Sequence, residues 1–380
     1  MRALAQDSGS TEGHRRLDVE QIVPYLLEQG LLTREALVND RVEIISASRR
    51  NSNFIVKSQT GPSYLVKQAS DADTRQTVAN EATIYRQVQL LFPEQQASPL
   101  PHLHVYDRES DALVLDYVVE SVSLLEAARE RNRFSIRVAE QLGASLSRIH
   151  SRAVPDHGTY SSHRDSNASP PWALSALTSP EIGILGDISH ANLRLLEMIH
   201  RYAAFSTSLD ELHKEWCPRT LIHHDLKFDN ILVHVRGRPF DGGGRVRIVD
   251  WEFAALGDPC WDLGSVLADY LSFWLFSIPV ISSASPDDML KLARCPLSRI
   301  RPSMESFWQS YSRVAGPDAS SGADLLTRTM RFTAARLLQT AFEYTQASNS
   351  VPGNVICLLQ VSHNMLQRPR EAALRFIGAH

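Results

Sequence analysis

The sequence has few cysteines, and their positions exclude several kinds of protein. The 380 residues contain four cysteines, which are Cys217, Cys260, Cys295 and Cys357. They are too irregularly spaced for a zinc site and too few for a small disulfide-bonded fold. We therefore predict a protein of a reducing compartment, and we expect it in the cytoplasm.

Long apolar runs and long basic tracts are also missing. The apolar stretch at 271–281 is interrupted by Pro279 and is too short to span a bilayer. The 39 Lys and Arg residues stand against 43 Asp and Glu, a formal net charge of −4, which lacks the basic excess of a nucleic-acid-binding protein. Residues 1–16 are polar, contain no apolar signal segment and are predicted to be a disordered tail. We predict neither a membrane nor a nucleic acid as a partner.

What the sequence does contain is a short string of catalytic residue types at 223–230. It includes Asp225, Lys227 and Asn230, and a second carboxylate, Asp250, follows 20 residues after Asn230. Phosphoryl transfer needs a carboxylate that orients the acceptor hydroxyl, a cation near the γ-phosphate, and oxygen ligands for Mg²⁺. We assign Asp225 and Lys227 to the first two roles, as the catalytic residues. Asn230 and Asp250 are the predicted metal ligands, because Mg²⁺ prefers oxygen and is held by few protein groups.

The residues between these two metal-ligand candidates predict how they meet. The apolar runs at 231–233 and 246–249 have the composition of two strands, and the segment 241–244 between them is Asp-Gly-Gly-Gly. Glycines of this kind permit a reversing loop. The predicted hairpin would return Asp250 to the side of Asn230.

Four strings in this region resemble the aminoglycoside phosphotransferase and choline kinase group. They are His-x-Asp-Leu-x-x-x-Asn at 223–230, Asp-Trp-Glu at 250–252, Gly-Asp-Pro at 257–259 and Asp-Leu-Gly at 262–264. The resemblance implies the α+β class and a two-lobed protein-kinase-like fold, with a small antiparallel sheet in the N-terminal lobe and a mainly helical C-terminal lobe. It also implies ATP and Mg²⁺ as cofactors and a hydroxyl-bearing acceptor. We accordingly predict a tail at 1–16, a nucleotide-binding lobe with an extra helix at 17–118, and a lobe with the catalytic loop and acceptor site at 119–380.

The chain departs from that group at one position and from protein kinases at another. His224 stands where the group usually has glycine. Only about ten residues separate Glu252 from Asp262, too few for a regulated activation loop, so an ordinary eukaryotic-type protein kinase is not expected. The resemblance gives Asp262 a supporting role, in which it accepts hydrogen bonds from the catalytic-loop backbone. It gives His150, at the end of a predicted amphipathic helix, a packing role.

The N-terminal lobe should bind the nucleotide. Runs at 42–46, 53–57 and 63–67 predict three strands, the last two separated by Gly-Pro at 61–62. By the resemblance, Lys67 contacts the α- and β-phosphates. Glu81 lies 14 residues later in a segment whose apolar residues recur at helical spacing. A glutamate in this place can pair with Lys67 and hold it on the nucleotide.

Two further nucleotide-binding regions are less well defined by the sequence. The segment 46–54 contains no glycine, although kinases commonly use glycine there for close approach to phosphate. Ser48 and Asn51 are our candidates for phosphate donors, while the arginines at 49–50 either add charge or are simply solvated. The run at 113–118 predicts the last strand and the hinge, where backbone groups around Asp116 and Val118 would bind adenine.

The opening segment at 22–32 and the string at 49–54 also resemble the phosphotransferases of thioamitide and class V lanthipeptide biosynthesis. That resemblance covers mainly the first 90 residues. Those enzymes phosphorylate Ser or Thr of a ribosomal precursor peptide (RiPP biosynthesis), and a separate lyase then eliminates phosphate. It therefore implies a peptide acceptor and a partner lyase.

Three functional hypotheses follow from the sequence. The first is a kinase acting on Ser or Thr of a precursor peptide, the second is the same chemistry on a small hydroxylated metabolite or antibiotic, and the third is a pseudokinase that serves as a binding scaffold. From residue 265 onward eleven Lys and Arg stand against eight Asp and Glu, which argues mildly against a polycationic aminoglycoside as the acceptor. The complete set of nucleotide-site and catalytic residues argues against the pseudokinase.

Overall fold

The computed structural model describes residues 15–47, 51–92, 98–151, 169–178, 188–237, 244–279, 286–315 and 319–378. The chain forms two compact units, which are considered separately below. The first unit extends to Gln89 and includes Pro101–Val119, and the second comprises Leu90–Leu100 and the chain from Glu120 onward. The division lies next to the predicted lobe boundary at 118/119, whereas the short segment 90–100 belongs with the second unit.

The first unit is built on one antiparallel sheet with strand order β1-β2-β3-β5-β4. The strand bounds are β1 Val42–Ser46, β2 Ser52–Ser58, β3 Tyr64–Gln68, β4 Leu103–Asp107 and β5 Ala112–Asp116. Three helices accompany the sheet, α1 Val19–Glu28, α2 Arg34–Asn39 and α3 Ala72–Leu91. The small antiparallel sheet confirms the predicted fold of the N-terminal lobe.

The opening segment of the chain packs onto this sheet. A capping box at Asp18 and Gln21 starts α1, because each side chain bonds the other's backbone N–H. Ile22, Tyr25 and Leu26 then join one buried cluster with residues of β2, β3 and β5. The predicted extra N-terminal helix is therefore part of the core of the first unit.

The second unit is mainly helical and carries two small sheets. Its helices are α4 Leu124–Arg131, α5 Ile136–His150, α6 His190–Arg201, α7 Ala203–Lys214, α8 Pro259–Phe276, α9 Pro286–Lys291, α10 Leu297–Ala315, α11 Ala319–Thr345, α12 Gly353–Gln367 and α13 Pro369–Ile377. Its strands are β6 Ser121–Ser123, β7 Thr220–Ile222, β8 Ile231–His234, β9 Arg247–Ile248 and β10 Ala255–Gly257, and they pair as β6-β8-β9 and β10-β7.

Close backbone packing holds the helices of this unit together, and glycine permits it at two places. A Cβ at Gly264 of α8 would lie 2.8 Å from the backbone N of Thr333 in α11, and one at Gly143 of α5 would lie 2.2 Å from the carbonyl O of Phe307 in α10. Such distances exclude any side chain without movement of the backbone. The glycine of the Asp-Leu-Gly string therefore lets α8 lie directly against α11.

Several predictions about the less regular parts of the chain can be compared with the structure. The apolar stretch at 271–281 contributes the end of α8, whose residues are largely buried, and none of the described helices has the length and apolar character needed to cross a membrane. The Ser- and Pro-containing segment 151–182 is described only at 151 and 169–178, where Trp172–Leu174 form a short 3₁₀ helix. Most of the predicted tail and the glycines at 242–243 lie outside the described residues.

Candidate active site

The catalytic loop begins at the end of β7 and is fixed by a buried carboxylate. The backbone N–H groups of His223 and His224 donate to Asp262 at 2.7 and 3.1 Å, and Asp262 is fully buried near the start of α8. Burial raises the pKa of the Asp262 carboxyl, but His150 and His223 outweigh this effect and leave that pKa lowered. Asp262 thus takes the position that the family resemblance implies. The buried His150 contacts Asp262 and Tyr311, which agrees with a packing role.

Asp225 and Lys227 form an ion pair two residues apart on this loop. The Lys227 Nζ lies 2.7 Å from Asp225 Oδ2, and the side chains are 36% and 24% exposed. Burial lowers the pKa of Lys227, but the neighbouring Asp225 carboxylate more than offsets this effect and leaves that pKa raised. The lysine is therefore a permanent cation next to a carboxylate that water or a substrate can reach.

Asn230 and Asp250 are brought together by the pairing of β8 with β9. Ile231 pairs with Ile248, and the N–H of Val249 donates to the carbonyl of Asn230 at 2.9 Å. Asp250 is the next residue, and it adopts a left-handed backbone conformation with φ of 67°. Aspartate tolerates this conformation better than most residues. The strand pairing that the sequence predicts across 231–249 is therefore present.

The chemistry of this pair fits the divalent cation that the family resemblance implies. The side-chain N–H₂ of the buried Asn230 donates to the carbonyl of Asp225 at 3.0 Å, which leaves the amide oxygen as the atom for a cation. One amide oxygen and one carboxylate suit Mg²⁺, which completes its shell with water and phosphate. Among the described residues no group of three or more His, Cys, Asp and Glu side chains forms a metal site, and a site of two protein ligands does not require one.

His224 has the backbone conformation that explains the glycine usual at its position. Its φ is 70°, a left-handed value that glycine adopts without steric cost and that costs other residues roughly 1–2 kcal/mol. Its carbonyl accepts a hydrogen bond from Trp261 Nε1 at 2.8 Å, and its ring contacts that of Trp216 edge-on. Burial lowers the pKa of its imidazole. The surrounding packing therefore holds a conformation that histidine does not favour by itself.

In the first unit, Lys67 and Glu81 form a buried ion pair. Lys67 Nζ lies 2.7 Å from Glu81 Oε2, and the side chains are only 7% and 1% exposed. Lys67 is on β3 opposite Asn53 of β2, and Glu81 is on α3. The structure therefore places together the two residues that the sequence predicts for nucleotide binding.

The remaining nucleotide-binding candidates have mixed outcomes. Ser48 lies outside the described residues, and Asn51 is buried immediately before β2. Asp116 ends β5, where its side chain contacts His104 Nε2 at 2.6 Å and its own N–H donates to His102. The N–H of Tyr117, between Asp116 and Val118, donates to the carbonyl of Ser63 at 2.8 Å. The N–H groups of Asp116 and Tyr117 are thus already hydrogen-bonded within the first unit. The adenine contacts that we predict around Asp116 and Val118 would have to use other backbone groups of 116–118.

A cavity of about 910 Å³ opens beside the catalytic loop in the second unit. It is lined by Lys227, Phe228 and Asp229 of the loop, by residues of α4 and α8, and by Arg336 and Glu343 of α11. One wall of the cavity is aromatic and consists of Phe273, Phe276 and Tyr344. The ring centroids of Phe276 and Tyr344 lie 4.5 Å apart. The cavity thus lies within 119–380, the lobe in which we predicted the acceptor site.

The cavity wall also contains a charged cluster that we did not predict from the sequence. Asp269 accepts a hydrogen bond from the N–H of Phe228 at 2.6 Å, and Arg336 pairs with Glu343 at 3.0 Å. Burial raises the pKa of Asp269 to about 7, although Arg336 lowers it. The sequence could have indicated Asp269, because it lies seven residues after Asp262 and therefore two helical turns further along the same face of α8. Asp262 and Asp269 therefore hold both ends of the string 223–228.

The model of the phosphotransferase enzyme family (APH) matches residues 41–296. No curated protein matches the chain. Among solved structures, macrolide 2'-phosphotransferase MphH from Brachybacterium faecium aligns with 14% identity over 90% of this chain and 98% of its own, with a TM-score of 0.47.

Two further solved structures align over most of the chain. A putative fructosamine-3-kinase from Thermobifida fusca has 15% identity over 86% of this chain and 93% of its own, with a TM-score of 0.44. APH(2")-IIia, crystallised with GDP and kanamycin, has 12% identity over 93% of this chain and 99% of its own, with a TM-score of 0.49. The family model covers more than half of the chain, and the chain therefore belongs to the phosphotransferase enzyme family.

Proposed function

We propose that this protein transfers the γ-phosphoryl group of ATP, with Mg²⁺, to a hydroxyl group of an acceptor in the cytoplasm. The observation that carries the proposal is the Asp225–Lys227 ion pair of 2.7 Å, whose lysine lines the cavity beside the catalytic loop. Asn230 is tied to the same loop through the carbonyl of Asp225. Base, cation and metal ligands are thus within a few residues of a cavity that can hold an acceptor.

The roles of the individual groups follow from this arrangement. The Asp225 carboxylate accepts a hydrogen bond from the acceptor hydroxyl and takes its proton as the oxygen attacks the γ-phosphorus. A new P–O bond forms, the bond from the γ-phosphorus to the bridging oxygen breaks, and ADP leaves. Lys227 offsets the negative charge that develops on the transferred group. Asn230 and Asp250 would hold Mg²⁺, which when bound neutralises charge on the phosphates, and Lys67, oriented by Glu81, would contact the α- and β-phosphates.

The acceptor that we propose is Ser or Thr of a ribosomal precursor peptide, phosphorylated before a partner lyase removes the phosphate. Support comes from the opening segment, which resembles that of thioamitide and class V lanthipeptide phosphotransferases and which packs into the core of the first unit. The basic balance after residue 265 also suits a peptide better than a polycationic sugar.

A small hydroxylated molecule is the second candidate acceptor, and the cavity favours it. Small-molecule sites commonly measure about 300–1,000 Å³ and combine aromatic walls with a few polar groups. The cavity of about 910 Å³, with Phe273, Phe276 and Tyr344 near Asp229 and Lys227, meets that description. A side chain of a peptide and its neighbours would occupy a similar volume, so size alone does not separate the candidates.

Mass spectrometry distinguishes the two acceptors. The enzyme, Mg·ATP and a precursor peptide encoded beside its gene are incubated, with and without a lyase encoded there, and the peptide is examined for a phosphate mass increment on Ser or Thr. Parallel reactions contain kanamycin or small alcohols, and Asp225→Asn is the inactive control. We expect phosphopeptide with the wild-type enzyme only. Efficient phosphorylation of a small alcohol with an unmodified peptide would overturn the peptide acceptor and leave the phosphotransferase assignment in place.

A further inference from the structure

A second, strongly basic groove lies in the same unit as the acceptor cavity. Its volume is about 650 Å³, and α4, the start of α5 and the end of β8 form its walls. Five arginines line it, and none of the described lining residues is an aspartate or glutamate. The arginines are Arg131, Arg133, Arg137, Arg236 and Arg245.

Little in the described structure neutralises this charge. Arg131 and Arg245 donate to the carbonyl groups of Val235 and Gly237, which are dipoles and carry no net charge. Within the described part of the chain, the guanidinium groups of the exposed Arg133, Arg137 and Arg236 form no ion pair or hydrogen bond. Like charges held this closely repel one another and favour an anionic ligand.

Helix α4 connects the groove to the acceptor cavity. Leu125, Arg129 and Asn132 line the cavity, whereas Leu124, Ala128 and Arg131 of the same segment line the groove. An α-helix with its side chains is about 10 Å wide, a distance that roughly three residues of extended chain cover. The exposed Arg129, which also lacks an ion pair with any described residue, lies on this path.

The composition of the groove favours an acidic polypeptide over a nucleic acid. Single-stranded nucleic acids are held by exposed aromatic rings on which bases stack. Two aromatic side chains are among the described lining residues, and both are buried. Phe134 is 8% exposed and packs against Phe228, Tyr270 and Phe273, whereas His234 is 8% exposed and pairs with Glu120. Arginine clusters of this kind recognise carboxylates by forked hydrogen bonds.

We propose that the arginine-lined groove docks an acidic segment of the acceptor polypeptide while its Ser or Thr enters the neighbouring cavity. This inference rests on the proposed function for its substrate, but its binding step requires neither ATP nor phosphoryl transfer. A docking segment outside the reacting residue would offset the entropy that a flexible peptide loses when it is ordered. It would also select precursor peptides by the charge of a region that is not modified.

Fluorescence anisotropy in the absence of nucleotide tests the groove directly. The probe is a fluorescein-labelled, glutamate-rich peptide that contains one serine, and its companion has glutamine in place of every glutamate. Binding is measured for the wild type, for Arg133→Ala/Arg137→Ala/Arg236→Ala, and for the matched control Arg201→Ala/Arg313→Ala/Arg370→Ala, which removes three exposed arginines elsewhere in the unit. Thermal melting of all variants checks that they are folded.

We expect the groove variant to bind the acidic peptide roughly tenfold more weakly, from the loss of three exposed charge pairs, and the control to bind like the wild type. Binding should weaken with salt, and the glutamine peptide should bind poorly to every variant. Arg133→Lys/Arg137→Lys/Arg236→Lys keeps the charge but loses the forked donors, and its affinity should lie between those of the wild type and the alanine variant.

Three results would overturn the inference. They are equal losses in the groove and control variants, a lysine variant as weak as the alanine variant, and tighter, groove-dependent binding of a single-stranded RNA of the same length. None of them bears on phosphoryl transfer, which fails separately if Asp225→Asn turns over like the wild type. The two proposals can thus be rejected independently.

Discussion

The side-chain amide of Asn230 donates a hydrogen bond to the main-chain carbonyl of Asp225 at 3.0 Å. This bond couples the predicted metal ligand to the residue that we propose as the base, because moving one displaces the other. It also orients the amide, since the N–H₂ group faces Asp225 and the oxygen is left for a cation.

Asp250→Ala should abolish Mg²⁺-dependent binding of ATP and turnover, because we propose Asp250 as the main carboxylate on the metal. Alanine is strained at the left-handed φ of 67°, so Asp250→Asn, which tolerates that conformation and lacks the charge, is the better-folded companion. Titration calorimetry with Mg·ATP measures the affinity, and Asp210→Ala on the exposed face of α7 is the control. Unchanged affinity and turnover in both Asp250 variants would remove this residue from the site.

Asp225→Asn should retain nucleotide binding and lose about 10²–10⁴-fold in turnover, the range typical of a positioned base. The asparagine keeps a carbonyl oxygen near Lys227 but cannot accept the proton of the acceptor hydroxyl. Steady-state kinetics with the acceptor that the wild-type enzyme phosphorylates give kcat, and calorimetry gives the affinity for Mg·ATP. A variant that turns over as fast as the wild type would show that Asp225 is not the base.

The buried pair of Lys67 and Glu81 should be sensitive to the loss of either partner. Lys67→Met leaves an uncompensated buried carboxylate and should lower the free energy of unfolding by about 3–5 kcal/mol. Lys67→Met/Glu81→Leu removes both charges and should be more stable than Lys67→Met. Urea unfolding measures these differences. Glu28→Gln breaks the exposed pair with Arg15 in the same unit and should cost no more than about 1 kcal/mol. A double variant less stable than the single one would contradict the argument.

His224 should make stability depend on pH. Burial lowers the pKa of its imidazole in the folded state, whereas in the unfolded chain the pKa is about 6.5. Protonation therefore favours the unfolded state, and the wild type should lose stability as the pH falls below about 6.5. His224→Asn lacks this titration and tolerates the left-handed φ. The unfolding free energies of both proteins are measured by urea titration at several pH values. The value for the wild type minus the value for His224→Asn should fall as the pH is lowered.

The control for that experiment is His213→Asn, which replaces an exposed histidine on α7. Its unfolding free energy should run parallel to that of the wild type over the same pH range. Parallel profiles for His224→Asn as well would show that the buried imidazole does not carry the pH dependence.

Much of the candidate site could be predicted from sequence because it is formed by neighbours along the chain. Asp225, Lys227 and Asn230 lie within six residues, and a single hairpin carries Asp250 back to them. Strand alternation and helical periodicity were sufficient to place Lys67 on a strand and Glu81 on the following helix. The fold class followed from the resemblance of the catalytic strings to the phosphotransferase group.

The sequence by itself determined the catalytic residue types, their order and the short-range geometry that groups them. The tertiary structure alone decided which distant residues surround them. Asp269 interacts with Arg336 of another helix, Arg133 and Arg236 line one groove although a hundred residues of chain separate them, and the strained φ of His224 is held by packing around Trp261. The physical reason is that spacing along the chain fixes contacts within a turn or a hairpin, whereas contacts between distant segments depend on how whole helices pack.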